Sequence, residues 1–127
     1  MGESSSGEVI AEFQIGMLPK MTNRSSGKQW FSRHKESVLW RRLVHEQCLL
    51  AEITDLKLPK AHLTLTRHSS VAPDSDGLVS GFKVVIDAMV KFGVLLDDNY
   101  KIIGMPTYKW EYRPKKLGGM ISVRIEV

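Results

Sequence analysis

The residues of this 127-residue chain whose types and spacing can do chemistry fall in its second half. Asp74 and Asp76 stand two apart in RHSSVAPDSDGL, so an extended backbone aims both carboxylates to one side. Asp97 and Asp98 are adjacent in GVLLDDNYKII, between two apolar runs. A turn needs one such residue, and Asn99 already supplies it. On an extended backbone the doublet points to opposite sides, so one side chain can face a site while the other fixes the bend. Two carboxylates about 4 Å apart repel by about 4 kcal/mol at an effective dielectric near 20, and gathering more of them raises their pKa values. A divalent cation removes that penalty. A set made only of carboxylates (Asp74, Asp76 and Asp98, with Asp97 beside them) selects a hard ion, Mg²⁺ or Mn²⁺. There is no Cys/His set with zinc spacing, and DSDG lacks the later ligands of a calcium-binding helix-loop-helix.

The charge distribution names the other partner. Phe13 to Lys35 holds no acidic residue but carries Lys20, Arg24, Lys28, Arg33 and Lys35. Lys101 to Lys116 holds five basic residues against Glu111 alone, within a net charge of +4. Such patches attract polyanions. In KMTNRSSGKQWFSRHK the basic side chains can neutralise phosphates, and Trp30 or Phe31 can stack on an unpaired base or pack as a helix staple. Arg67 and His68, just before the acidic loop, are placed to touch a strand there, with His68 a candidate base. Acids for a metal beside bases for a polyanion point to phosphodiester hydrolysis. The metal would activate water, and Lys83 would stabilise charge in the transition state.

These residues need elements to position them. Four segments alternate apolar and polar with the period of half-buried strands: 9–15, 62–66, 108–112 and 121–127. The third is expected to begin near Tyr100 and break at Pro106, and to form a hairpin with the fourth through Gly118-Gly119. Two helices are expected. One runs from Lys35 to Ile53, with Leu39, Trp40, Leu43, Val44, Leu50 and Ala51 on its apolar face and Arg41, Arg42 and His45 opposite. The other runs from Leu78 to Phe92, stopped by Gly93. The order β-α-β-α-β-β predicts an α+β domain, a single mixed β-sheet with two helices packed on one face. It occupies 9–127, after a Gly/Ser-rich disordered leader at 1–8. With 43% hydrophobic and 25% charged residues, the chain has an ordinary globular composition. The single cysteine, Cys48, excludes an intrachain disulfide, fits a reducing intracellular setting and reads as a small core residue. No apolar run reaches the roughly 20 residues that span a bilayer, and no signal peptide opens the chain.

The second helix separates the two acidic segments by roughly 22 Å, at about 1.5 Å per residue. They converge only if one segment turns back along it, with Lys83 and Asp87 lining the space between.

D-x-D-G-L, then a helix with K-x-x-x-D, then G-V-L-x-D-D resembles the RusA-like Holliday-junction resolvases of phages and prophages. FQIGMLPKMTN, with Pro19 and Asn23, is similar to the family's opening strand and Pro-rich, Asn-containing loop. The resemblance spans roughly residues 9–127 and is most specific from 74 to 103. It implies a RusA-like fold and an active site of Asp74, Asp76, Lys83 and Asp98, with Asp97 beside it. It further implies a Mg²⁺- or Mn²⁺-dependent endodeoxyribonuclease in a bacterial host cytoplasm, acting as a homodimer that nicks four-way DNA junctions symmetrically. DNA contacts are expected at Lys20, Asn23, Arg24, Lys28, Arg33 and Arg67. The chain departs from the pattern at Gly77, where the family usually has Asn, at Lys20, which replaces a second proline, and in the longer Asp76–Lys83 spacing.

Two other readings stay open. In one, DSDG only starts a helix, Lys83 only pairs with Asp87, and the protein is a basic DNA-binding module without catalysis. In the other, the acids stabilise a scaffold through a metal, with no affinity for nucleic acid. Metal-dependent cutting separates the first from the nuclease, and retention on DNA separates the second.

Overall fold

Alternating runs become strands here, and those at Val9–Ile15, His62–Ser69 and Met120–Glu126 each bury one side against helices, while the edge strand Thr107–Tyr112 stays largely exposed on both sides. The structure, a computed structural model, describes residues 7–20 and 27–127, with backbone alone for 27–33. The strands are β1 (Val9–Ile15), β2 (His62–Ser69), β3 (Thr107–Tyr112) and β4 (Met120–Glu126). The helices are α1 (Gly27–Leu50), α2 (Ser75–Lys91) and the single turn α3 (Tyr100–Ile103). The strands form one mixed sheet in the order β1-β4-β2-β3. β4 runs antiparallel to both β1 and β2, and β3 runs parallel to β2. Glu8 extends the first pairing by exchanging both backbone hydrogen bonds with Val127.

Register gives the two faces opposite characters. One row reads Phe13–Val123–Leu65–Tyr108; the row on the other face reads Gln14–Ser122–Thr66–Lys109. The apolar face joins Trp40, Val44 and Cys48 of α1 and Phe82, Val85 and Met89 of α2 in one buried cluster. Both helices therefore pack on the same side, as the patterning predicts. Each large side chain so buried contributes about 1.5–3 kcal/mol. Cys48 is fully buried, and burial pushes its thiol up to about 11, which leaves it inert as a nucleophile.

Several expectations are corrected. β3 and β4 form no hairpin, because β2 lies between them. After β3 the chain enters a 3-10 turn at Lys115–Leu117, which Arg113 clasps through Nε to the Gly118 carbonyl at 2.8 Å. A parallel β2–β3 pair needs a crossover, and the segment carrying α2 supplies it. Tyr100–Ile103 is helical rather than extended. The Asn99 side chain caps it by accepting from Lys101 N–H at 3.0 Å, and Gly104 at φ 57° ends it. α1 begins at Gly27 rather than Lys35 and ends at Leu50 rather than Ile53. Leu50 is exposed and Cys48 takes its place on the buried face. His45 leaves the basic face to stack on Phe92, with centroids 4.1 Å apart.

α2 starts at Ser75, earlier than expected, and its end determines where the second acidic segment goes. Gly93 N–H reaches the Val90 carbonyl and Val94 N–H reaches Met89, the paired bonds of a Schellman stop, with Gly93 at φ 76°. A Cβ on Gly93 would lie 2.8 Å from Asp55 Oδ1 and 3.0 Å from Asp55 Cα. Gly93→Ala combines a left-handed conformation with that crowding. It should destabilise by about 2 kcal/mol, lowering Tm by roughly 6–12 °C in a thermal melt. An unchanged Tm would show that the 51–58 loop yields freely.

Candidate active site

Asp74 occupies the N-cap of α2. Its backbone is extended (φ −75°, ψ 169°), and Oδ1 accepts from Gly77 N–H at 2.6 Å. Asp76 follows in the first turn, exposed, where the helix dipole favours an anion. From Asp76 the helix presents Ser80, Lys83 and Asp87 at spacings of four, three and four, which places all four on one stripe.

The chain after α2 turns back beside that stripe. Val94 and Leu95 are buried, Leu95 bridges to Leu58 in parallel, and Leu96 N–H bonds the Leu58 carbonyl. This anchoring carries Asp98 to the middle of α2, where its Oδ2 lies 4.0 Å from Lys83 Nζ. Lys83 Nζ also lies 3.5 Å from Asp87 Oδ1, so the ammonium stands between two carboxylates. The three line a cavity of about 270 Å³ whose apolar wall includes Ile86, Pro106 and Tyr108. Burial raises the Tyr108 phenol pKa, so the ring enters this wall neutral.

The Asp97–Asp98 doublet divides its work. Asp97 Oδ1 accepts from Asp98 N–H at 2.7 Å, and Oδ2 accepts from the Asn99 amide at 3.1 Å. The backbone bond from Asp98 chiefly, helped by side-chain bonds, holds the Asp97 carboxyl below the usual range. Whatever this turn adds to stability is present above an ordinary aspartate pKa and lost as pH falls through the lowered one. Asp97 thus shapes the bend, while Asp98 faces Lys83.

Gathering is partial. Asp98 meets Lys83, but seven residues of helix, about 10 Å of rise, separate Lys83 from Asp76. Among the described residues, no three His, Cys, Asp or Glu side chains come close enough to form a cation shell. The donors themselves suit a hard ion. They offer two carboxylate positions along one stripe, Asp74/Asp76 and Asp98, rather than one closed cage.

Of the expected DNA contacts, Lys20 and Arg67 come near one another. Arg67 Nη1 donates to the Pro19 carbonyl at 3.1 Å, and Lys20 N–H, next in the chain, donates to Glu36 at 2.9 Å. Arg67 Nε is buried with no partner, and desolvation lowers the guanidinium pKa. Asn23 and Arg24 lie outside the described residues, as do the side chains of Lys28, Trp30, Phe31 and Arg33. His68 is on the opposite sheet face from α2, bonded through Nε2 to Ser122 Oγ at 2.8 Å, with Nδ1 3.4 Å from Glu111. It does not share the Lys83 cavity.

Asp87 lines the cavity with Lys83, as expected, while Gly104, Pro106 and Tyr108 line it without having been singled out as site residues. Asp87 was signalled by its i,i+4 spacing from Lys83. The others follow from reading Asn99 and Gly104 as the cap and stop of a short helix. Neither protein-family models nor curated proteins show a match to this chain. No helix among the described residues is long and apolar enough to cross a membrane.

Proposed function

We propose that this protein is a Mg²⁺- or Mn²⁺-dependent, structure-selective endodeoxyribonuclease of the RusA-like kind, acting on four-way junctions as a homodimer. One observation carries the reading: Lys83 held between Asp87 and Asp98 in a cavity, on the helix whose start bears Asp74 and Asp76. The motif resemblance supports it. So does the cost of the arrangement, because exposed pairs of this kind contribute only about 0–1 kcal/mol to stability. Buried Val94 and Leu95 hold Asp98 there regardless, and stability gives no reason to choose charges for that place.

Mg²⁺ is commonly held by one or two carboxylates plus substrate phosphates. Asp74 and Asp76 are the residues that would hold it at the start of α2, while Asp98, beside Lys83, stands outside that shell. When bound, the ion supplies Lewis acidity to the phosphodiester and activates water. Lys83 offers its ammonium to the charge that builds on the phosphoryl oxygens. Asp87 keeps Lys83 oriented along the stripe. Arg67 and Lys20 bind backbone phosphates at the sheet's end, and Asp97 holds the bend that presents Asp98.

The test is cleavage of a labelled four-way junction with Mg²⁺ or with chelator. Wild-type protein is expected to make paired, symmetric nicks only with the metal, and Asp76→Asn to lose at least about 100-fold in rate. Salt-sensitive binding without any metal-dependent cutting would instead make the protein a non-catalytic DNA-binding module.

A further inference from the structure

Two neighbouring cavities share Ile103 and Gly104 in their walls. One holds Lys83 and Asp98. The other is a wider groove of about 870 Å³ that runs past Lys60, His62, Tyr100, Lys101 and Met105. The backbone fixes its walls. Ala61 N–H donates to the Ile102 carbonyl at 2.9 Å, so Lys60 and Lys101 flank a single hydrogen bond from its two sides. His62 is tied to Thr107 Oγ1 at 2.9 Å. Neither lysine has an ion-pair partner among the described residues, and the groove's acid, Glu126, already faces Arg124 at 3.8 Å. Tyr100 is 73% exposed and Met105 71%, which sets an aromatic ring and a thioether in the groove with these two cations.

We propose that this groove carries an unpaired DNA strand to or from the candidate active site. Tyr100 stacks on a base, and Lys60 and Lys101 neutralise phosphates on either side of it. An aromatic platform between cations is the arrangement by which proteins hold single strands. The groove lies next to the Lys83 cavity, with Ile103 and Gly104 in the walls of both, so a strand in it runs close to the reacting phosphate. The inference rests on the nuclease reading above and adds a contact surface to it.

The experiment uses the full chain in chelator, with fluorescence anisotropy on a fork bearing one unpaired arm and on a plain duplex of equal length. Tyr100→Ala is expected to weaken fork binding on the order of tenfold, and duplex binding less than twofold. The double variant Lys60→Gln, Lys101→Gln is expected to flatten the log K against log salt slope for the fork by about 1.4. All three side chains are exposed, so thermal melts of the variants should match wild type. Wild-type fork affinity and slope in these variants would overturn the groove while leaving the nuclease reading intact. A wild-type protein that binds no DNA would overturn both. A dimer lost on Tyr100→Ala with fork affinity unchanged would assign the groove to a second copy, and an acidic peptide bound there with the same unchanged affinity would assign it to a protein; either overturns the strand proposal.

Discussion

Lys83→Met is expected to slow junction cleavage by about 10²–10³-fold and to leave both Tm and junction affinity close to wild type. The rate effect is that of removing one preorganised donor from a site where charge develops in the transition state. The stability effect is small because Lys83 is largely exposed and its pairs are weak. The i,i+4 contact with Asp87, with lysine first, contributes only tenths of a kcal/mol, and the 4.0 Å approach to Asp98 is screened by solvent. Affinity changes little because one ammonium is a small part of a many-phosphate contact. Lys83→Arg keeps the charge but not the compact ammonium, so it should recover part of the rate. Single-turnover cleavage with saturating enzyme separates the chemical step from binding. If Lys83→Met cuts at the wild-type rate, Lys83 is only a solvated partner of Asp87, and the central observation behind the nuclease reading is gone.

How much of this was legible beforehand differs from element to element. Period-two runs placed all four strands; for β1, β2 and β4 the reason is that a strand with one wet face must alternate, whereas β3 alternates yet lies exposed at the sheet edge. The stop of α2 at Gly93 was legible because a left-handed C′ position selects glycine. The Asp97–Asp98 doublet divides its work as expected, but not by alternation along an extended segment. The chain bends at Leu96, Asp98 and Asn99, and Asp97 is turned onto the bend by accepting from Asp98 N–H and the Asn99 amide. Pairing partners did not follow. Two alternating runs around Gly118-Gly119 look like a hairpin, and only the competition of β2 for the same edge of β4 excludes it. α3 was hidden because its single turn has too few residues to show a helical period; only its cap and its glycine mark it. The site's reach was least legible. Whether Asp98 returns along α2 depends on Leu95 finding Leu58, a contact remote in sequence that no local pattern encodes.

Asp74 is where the structural and catalytic accounts of the acidic loop make opposite forecasts, and two substitutions separate them. Its Oδ1 caps α2 through Gly77 N–H at 2.6 Å, so Asp74→Ala should cost about 1 kcal/mol of stability. Asp74→Asn retains an oxygen acceptor, and asparagine is as good an N-cap as aspartate, so its melting curve should stay close to wild type. Only the charge is lost. If that charge helps hold a cation, Asp74→Asn should still slow Mg²⁺-dependent cleavage at least about 100-fold, since the electrostatic stabilisation at stake is several kcal/mol. The Mg²⁺ concentration needed for half-maximal rate should rise with it. The cap-only account forecasts an intact fold and wild-type cleavage in Asp74→Asn, with Asp74→Ala impaired only in proportion to its lost stability. Because Asn leaves the helix start in place, a cleavage defect in it cannot be assigned to unfolding. A normal rate would remove Asp74 from the cation site and leave Asp76 as the carboxylate there.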